Sequence, residues 1–264
     1  MIATPIYGLP IDDSARALTC VTITGADDAV DPQALLDLAA EFPFVEWGIL
    51  SSASREGLPR YPTCAWIRRL LDLDLRSDRA TRMSLHLCGG RARAMRDGDF
   101  AQAIDGLPSY LPFGRVQING FDARQDNPEV LERALDWLPA GREAILQVRS
   151  AEDLAPAAEM ARRIARCRCS ILFDASGGEG RKADAYPEPP PRVRMGYAGG
   201  LGPGNVDSEL PAMIAARQRT IDAGHVVAPF WIDMESGVRR DDRFDLGLVR
   251  EVLLRTRGAI VDVQ

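Results

Sequence analysis

Two short stretches in the last third of the sequence carry residue types from which an anion site is built. Ala198-Gly199-Gly200-Leu201-Gly202-Pro203-Gly204-Asn205-Val206 follows a β-rich run and holds four glycines. Backbone N–H groups beside glycine approach an anion without interference from a Cβ atom. Ile232-Asp233-Met234-Glu235-Ser236-Gly237-Val238 ends the next such run, again on small residues. Either stretch alone is most simply a tight turn. On two neighbouring strand ends they make a phosphate clamp, with Gly199, Gly200, Leu201, Asp233, Ser236 and Gly237 as its residues. His86-Leu87-Cys88 and Cys167-Arg168-Cys169 also have ligand-like composition, but neither has the C-x2-C spacing of a structural zinc site. No metal and no cofactor are expected. The basic segment Arg91-Ala92-Arg93-Ala94-Met95-Arg96 is short and offset by Asp97 and Asp99, which reads as a solvated helix face rather than a nucleic-acid contact.

The elements that must position these residues are legible from periodicity. Eight β-rich apolar runs begin at Cys20, Val45, Met83, Arg115, Ala144, Ser170, Val193 and Phe230. Their mean spacing is about 30 residues, the length of one strand-helix-return unit. Helical patterns lie between them. Asp31-Pro32 and Asn127-Pro128 each place an Asx cap before proline at a first helical position, and residues 153–165 and 245–255 carry apolar stripes of helical period. Runs such as Ser170-Ile171-Leu172-Phe173 are continuously apolar, as parallel strands buried on both faces require. Eight units favour closure into a single α/β domain, a (β/α)8 TIM barrel over residues 20–264, with residues 1–19 as a short N-terminal arm. The sixth connection, Gly177 to Arg192, holds Pro187, Pro189, Pro190 and Pro191 and is expected to be a loop. In such a barrel the chemistry sits on the loops that follow the strands, and the last two strands commonly supply the phosphate cradle.

Composition narrows the function classes. The 264 residues are 46% hydrophobic and 27% charged, which suits one sizeable core. A formal charge of -6 gives no field that draws nucleic acid or anionic membrane, so the expected partner is a small anionic molecule held locally. Five cysteines, an odd number in a chain of this size, read as thiols in a reducing compartment. The first residues lack the basic start of a signal peptide, and no apolar stretch approaches the roughly 18 residues of a membrane span. A cytoplasmic monomer or homodimer is expected. Trp47, Trp66, Trp137 and Trp231 are most simply packing residues.

Several of these segments together resemble phosphoribosylanthranilate isomerase. Residues 197–206 are similar to that family's (L)AGGL-x-P-x-NV signature, and residues 232–238 to its VD-x-(S/N)SGVE segment. Leu172-Phe173-Asp174 followed by Gly177-Gly178-Glu179-Gly180 resembles L-x-D with a shortened run before GGTG. Val116-Gln117-Ile118-Asn119-Gly120 resembles VQLHG, Pro59-Arg60-Tyr61 resembles SPRYV, and Val21-Thr22-Ile23-Thr24-Gly25 stands where VKICG would. The resemblance implies a phosphorylated-sugar substrate and an Amadori rearrangement of the kind used in tryptophan biosynthesis. It implies Asp174 as the acid that protonates the ring oxygen and Arg60 as the partner of a substrate carboxylate, with Gln117 and Asn119 also on the substrate.

The sequence departs from that pattern at the base. The cysteine of VKICG is Thr24, whose hydroxyl does not remove a carbon-bound proton unaided near neutral pH. The family's lysine is Thr22, its histidine Asn119, the threonine of GGTG Glu179, and the first residue of the SSGV-like segment Glu235. Strands one and eight are neighbours in a closed barrel, so Glu235 is placed to serve as base beside Thr24; His86 and Cys88 are a second option. Carboxylates beside a phosphate clamp repel a dianion unless Arg181, Lys182, Arg239 or Arg240 neutralises them. The alternatives are a divergent barrel with aldolase-like or epimerase-like chemistry and a non-catalytic barrel that binds a small anion.

Overall fold

The computed structural model describes residues 17–77, 80–109, 112–122, 124–136, 138–139, 141–164, 167–177 and 180–261. Residues 1–16 of the expected arm, Trp137 and Glu179 lie outside the described residues. The strands are β1 (Leu18–Thr24), β2 (Val45–Ser51), β3 (Arg82–Leu87), β4 (Arg115–Ile118), β5 (Glu143–Val148), β6 (Arg168–Asp174), β7 (Met195–Ala198) and β8 (Phe230–Met234). They pair in parallel in chain order and close through β1 and β8, so the fold is a (β/α)8 barrel. Helices α1 (Pro32–Glu41) and α2 (Cys64–Arg76) follow β1 and β2, and two short helices, α3 (Gly90–Arg96) and α4 (Phe100–Ile104), follow β3. Helices α5 (Pro128–Leu135), α6 (Leu154–Arg163), α7 (Val206–Asp222) and α8 (Leu246–Thr256) complete the outer layer. The described residues between β6 and β7 carry no helix, as their prolines require. A small hairpin, β9 (Arg239–Arg240) and β10 (Arg243–Phe244), rises after β8.

The caps read from the sequence form as expected. Asp31 accepts from the N–H of Gln33 and Asn127 from that of Glu129, each with proline in the first turn. Strand residues alternate between two environments. Val21 and Ile23 join Leu35, Leu70 and Val252 in the large apolar layer between sheet and helices. Cys20, Ile145, Leu172, Ala198 and Trp231 form a separate cluster inside the barrel.

The lower half of the barrel interior is polar and filled. Arg115 donates from Nη2 to Glu46 Oε1 at 2.6 Å and to Thr22 Oγ1 at 3.2 Å. Its guanidinium lies 4.4 Å from the Trp231 ring centroid, and Arg194 lies 5.0 Å from the same ring. Gly196 makes room for this stack, since a Cβ there would stand 2.3 Å from the indole. Access to the interior is therefore from the C-terminal mouth. The expected solvated face at residues 91–96 needs correction: Arg91 is buried and donates to Ala103 O at 3.1 Å, and Arg96 donates to Asn119 O at 2.7 Å. These cations tie α3 to its neighbours.

Candidate active site at the barrel mouth

A pocket of about 520 Å³ opens where the strands end. Its walls are alternate strand positions, as the two-residue period dictates: His86 and Cys88, Gln117 and Asn119, Leu172 and Asp174 all line it. Thr24, Arg60, Asp233, Glu235, Ser236, Gly199 and Gly200 complete the set brought together there. Two of the proposed clamp residues stand elsewhere. Leu201 is buried in the outer apolar layer, and Gly237 lies against Leu201 and Gly202, where a Cβ would come within 2.0 Å of Leu201 O. These positions fasten the β7 and β8 loops to each other.

Asp174 and Asp233 occupy the ends of β6 and β8, each in register with Ala198 of the strand between them. Asp174 meets donors on both oxygens. Gln147 Nε2 donates to Oδ2 at 2.8 Å, and the Ser176 N–H and hydroxyl donate to Oδ1 at 3.1 and 2.7 Å. Asp233 accepts from the Thr24 hydroxyl at 2.8 Å. Burial, reinforced by the nearby charges of Asp174, Glu235 and Glu46, pushes its carboxyl up to about 8 against the opposing Thr24 hydrogen bond. Asp233 thus carries a proton at neutral pH. Its place at the strand end was legible, but its state was not.

Arg60 reaches the pocket from the β2 loop with its backbone in the left-handed region at φ 76°, uncommon for a side chain of this size. Its N–H donates to Asp27 Oδ2 at 2.7 Å. The guanidinium is already matched: Nη1 donates to Glu235 Oε1 at 2.7 Å, and Nη2 and Nε donate to Asp242 Oδ1 at 2.8 and 3.2 Å. Asp241 and Asp242 form the turn of the β9–β10 hairpin, both left-handed at φ 51° and 56°, and the turn delivers Asp242 to Arg60. Burial raises the Glu235 carboxyl, while the Arg60 ion pair opposes that shift.

Three of the four cations considered for neutralising a phosphate are engaged elsewhere. Lys182 pairs with Glu209 at 2.7 Å and Arg240 with Asp245 at 3.4 Å. Arg239 is buried, bound to Gly25 O at 2.7 Å and to Asp27 at 3.3 Å. Gly199 and Gly200 are left-handed and pressed against residues 180–182; a Cβ on Gly200 would meet Gly180 O and Lys182 N, each at 2.8 Å. Their backbone freedom thus serves loop packing as well as the pocket wall.

His86 and Cys88 do not form a thiolate–imidazolium pair. Burial lowers the imidazole to about 3, so it is neutral, and burial next to Glu235 pushes the thiol up to about 12. The sulfur donates to the His86 carbonyl at 3.5 Å and accepts from Asn119 Nδ2 at 3.2 Å. Gln117 Nε2 in turn donates to Asn119 Oδ1 at 2.9 Å. Sequence reasoning missed Gln147, Ser176 and Asp242. Gln147 lies two residues beyond the inward Ile145, a signal that strand alternation offered; Asp242 had none, because only the folded hairpin brings it to Arg60.

Among the described residues, no group of three or more His, Cys, Asp or Glu is placed to hold a metal, and no helix is long and apolar enough to cross a membrane. The chain matches no sequence-family profile and no curated protein. Among solved structures it is similar to N-(5'-phosphoribosyl)anthranilate isomerase from Pyrococcus furiosus, with 15% identity over 91% of this chain and 99% of that one and a TM-score of 0.53. The Thermotoga maritima phosphoribosylanthranilate isomerase aligns over 91% of this chain and 100% of its own, at 15% identity and a TM-score of 0.54. A further structure of this isomerase, in complex with reduced 1-(o-carboxyphenylamino)-1-deoxyribulose 5-phosphate, gives 14% identity, coverage of 91% and 100%, and a TM-score of 0.53. At this identity the likeness is one of fold: the chain has the barrel seen in phosphoribosylanthranilate isomerase, carried by a divergent sequence.

Proposed function

We propose that this barrel is an aldose–ketose isomerase of the Amadori type, acting by acid–base proton transfer on a phosphorylated sugar. The observation that carries the reading is the pair Asp174 and Asp233, two carboxyl groups in one pocket with opposite environments. Two carboxyl groups with different hydrogen-bond surroundings divide acid from base work. The resemblance implies Asp174 as donor, but its three partners all donate to it, which suits a proton acceptor. Asp233 is the group that holds a proton to give.

In this reading Asp233 protonates the ring oxygen as the C1–O bond breaks, Asp174 takes the proton from C2 to leave an enol, and the ketose forms as Asp174 passes that proton to C1 and the C2 hydroxyl returns one to Asp233. Thr24 then acts on Asp233 through its hydrogen bond instead of as a base, and Glu235 is committed to Arg60. The phosphate lies along Gly199, Gly200 and Ser236, with Gln117 and Asn119 on the opposite wall. The solved complex with a deoxyribulose 5-phosphate derivative supports a ligand of this kind.

The test is proton NMR in D2O with phosphoribosylanthranilate and ribose 5-phosphate, following ketose formation and exchange at C2. Wild-type protein is expected to catalyse exchange on at least one, and Asp174→Asn to lower it by about 10²-fold or more. A Thr24→Cys variant tests whether a thiol at that position raises turnover. Absence of exchange on both substrates, or full activity in Asp174→Asn, overturns the proposal.

A further inference from the structure

Asp174 meets a side-chain amide whose orientation is fixed from behind. Gln147 stands on β5, in register with Leu172 of β6, and its Nε2 donates to Asp174 Oδ2 at 2.8 Å. Its Oε1 accepts the main-chain N–H of Gly120 at 3.0 Å. Gln147 and Asp174 are each 5% exposed, so water does not readily replace either bond. An amide oxygen only accepts and an amide nitrogen only donates. Turning the Gln147 amide over would set N–H against the Gly120 N–H and oxygen against the carboxylate, and both bonds would be lost. The Ser176 N–H is a second fixed donor to Asp174, at 3.1 Å, whereas the Ser176 hydroxyl rotates and both donates and accepts.

The anchor behind Gln147 is itself held. Gly120 follows β4 at φ 71°, and the peptide that joins it to Asn119 is gripped at both ends. Arg96 Nη1 donates to the Asn119 carbonyl at 2.7 Å, while the Gly120 N–H of the same planar unit points the other way, to Gln147. Arg96 is tied in turn to Asp126 at 3.0 Å. A chain of bonds thus runs from α3 through the end of β4 to β5 and ends on the carboxyl at the end of β6.

We propose that Gln147, oriented by the peptide between Asn119 and Gly120, is the positioning residue that holds Asp174 as a carboxylate. The inference rests on the isomerase reading for the step it serves, in which Asp174 takes a proton from carbon and passes it on. A proton on Oδ2 would meet a donor that cannot turn away, and a carboxylate there accepts it. Glu235, and Asp233 whenever it ionises, act in the opposite direction, because like charge in the same pocket disfavours a further carboxylate. Gln147 offsets that repulsion. It also lines the pocket and has a second N–H, so the test reads protonation as well as turnover.

The experiment compares Gln147→Met and Gln147→Glu, which keep the length of the side chain. The first readout is the pH dependence of exchange at C2. Gln147→Met lacks the donor and is expected to move the acid limb up by about half to one pH unit, the value of one hydrogen bond. Gln147→Glu keeps an acceptor for the Gly120 N–H but sets a second carboxyl oxygen against Asp174; the two share a proton, and the limb moves up by about one unit further or more. The second readout needs no substrate. In protein isotope-labelled at the aspartate carboxyl carbons, the NMR signal missing from Asp174→Asn is expected to respond at higher pH in the same order, wild type, Gln147→Met, Gln147→Glu. A merely structural role lowers melting temperature and rate at every pH and leaves both readouts in place. Carboxyl signals that titrate together in all three proteins, or an acid limb that stays in place in both variants, overturn the proposal. A signal that moves in this order in protein that exchanges no C2 proton supports the positioning of Asp174 and overturns the isomerase reading alone.

Discussion

The Thr24 hydroxyl donates a 2.8 Å hydrogen bond to Asp233 Oδ1 across the β1–β8 seam that closes the barrel. The bond favours the ionised form of Asp233 and so limits how far burial raises the carboxyl. Replacing Thr24 with Val keeps the shape and removes the donor. Asp233 then holds its proton to higher pH. The alkaline limb of the pH–rate profile, expected near pH 8 in wild type, moves up by about half to one pH unit, the value of one hydrogen bond. A limb that stays in place separates Asp233 from the acid role.

Asp233 also sets a pH dependence of stability. Its folded carboxyl titrates near 8, above its unfolded value, so between those values the folded state binds more protons than the unfolded state. Its contribution is fully present below the unfolded pKa and is lost as pH rises through 8. Asp233→Asn abolishes this loss. The variant is expected to match wild type near pH 4 and to exceed it by about 2–4 kcal/mol at pH 9, given about 1.4 kcal/mol for each tenfold change in proton affinity and some relaxation of the site. Urea midpoints across pH measure the difference, and parallel curves for the two proteins contradict the assignment.

Two glycine substitutions separate site from scaffold. A Cβ on Gly48 would stand 2.1 Å from Thr24 Oγ1 and 2.9 Å from His86 Cε1, both side-chain atoms. Gly48→Ala is therefore expected to turn Thr24 away from Asp233 and to move the alkaline limb of the pH–rate profile up by about half to one pH unit, as Thr24→Val does. A Cβ on Gly237 meets backbone, 2.0 Å from Leu201 O and 2.9 Å from Gly202 Cα. Gly237→Ala is expected to cost about 2–3 kcal/mol or more of stability, as overpacking against main chain does. Thermal melts alongside kinetics distinguish the two patterns.

Beneath the pocket, Glu46 and Arg115 form a buried pair at 2.6 Å. Glu46→Ala removes the carboxylate that Arg115 bonds inside the barrel and leaves it the Trp231 ring, the Thr22 hydroxyl and the field of Glu143. The expected cost is about 3–5 kcal/mol, read as a shift in the denaturant midpoint. Glu46→Gln, which keeps an acceptor oxygen, is expected to cost less.

The barrel was legible because each unit announces itself locally. Asp31-Pro32 and Asn127-Pro128 start helices by caps that need no tertiary partner. The apolar runs at β5 and β6 are buried on both faces whichever strands they adjoin. Of the site, Asp174, Asp233, Glu235 and Arg60 were named from the sequence, and all four line one pocket. Leu201 and Gly237 were placed in the clamp because a glycine-rich segment reads the same whether its freedom serves a ligand or a neighbouring loop. The 2.0 Å approach of a Cβ at Gly237 to Leu201 O shows the packing use there.

Period, caps and spacing along the chain were enough to set the number of strands, the helices that cover them and the polar residues at the strand ends, since each of these signals is local. What those residues do to one another came from folding in three dimensions. Closure of β1 onto β8 put Thr24 on Asp233, and burial there keeps the carboxyl protonated. The hairpin after β8 brought Asp242 to Arg60, 182 positions away, and set the expected carboxylate receptor in an internal ion pair. Charge state and partner choice depend on which atoms share a desolvated volume, and strand register and loop geometry set that sharing.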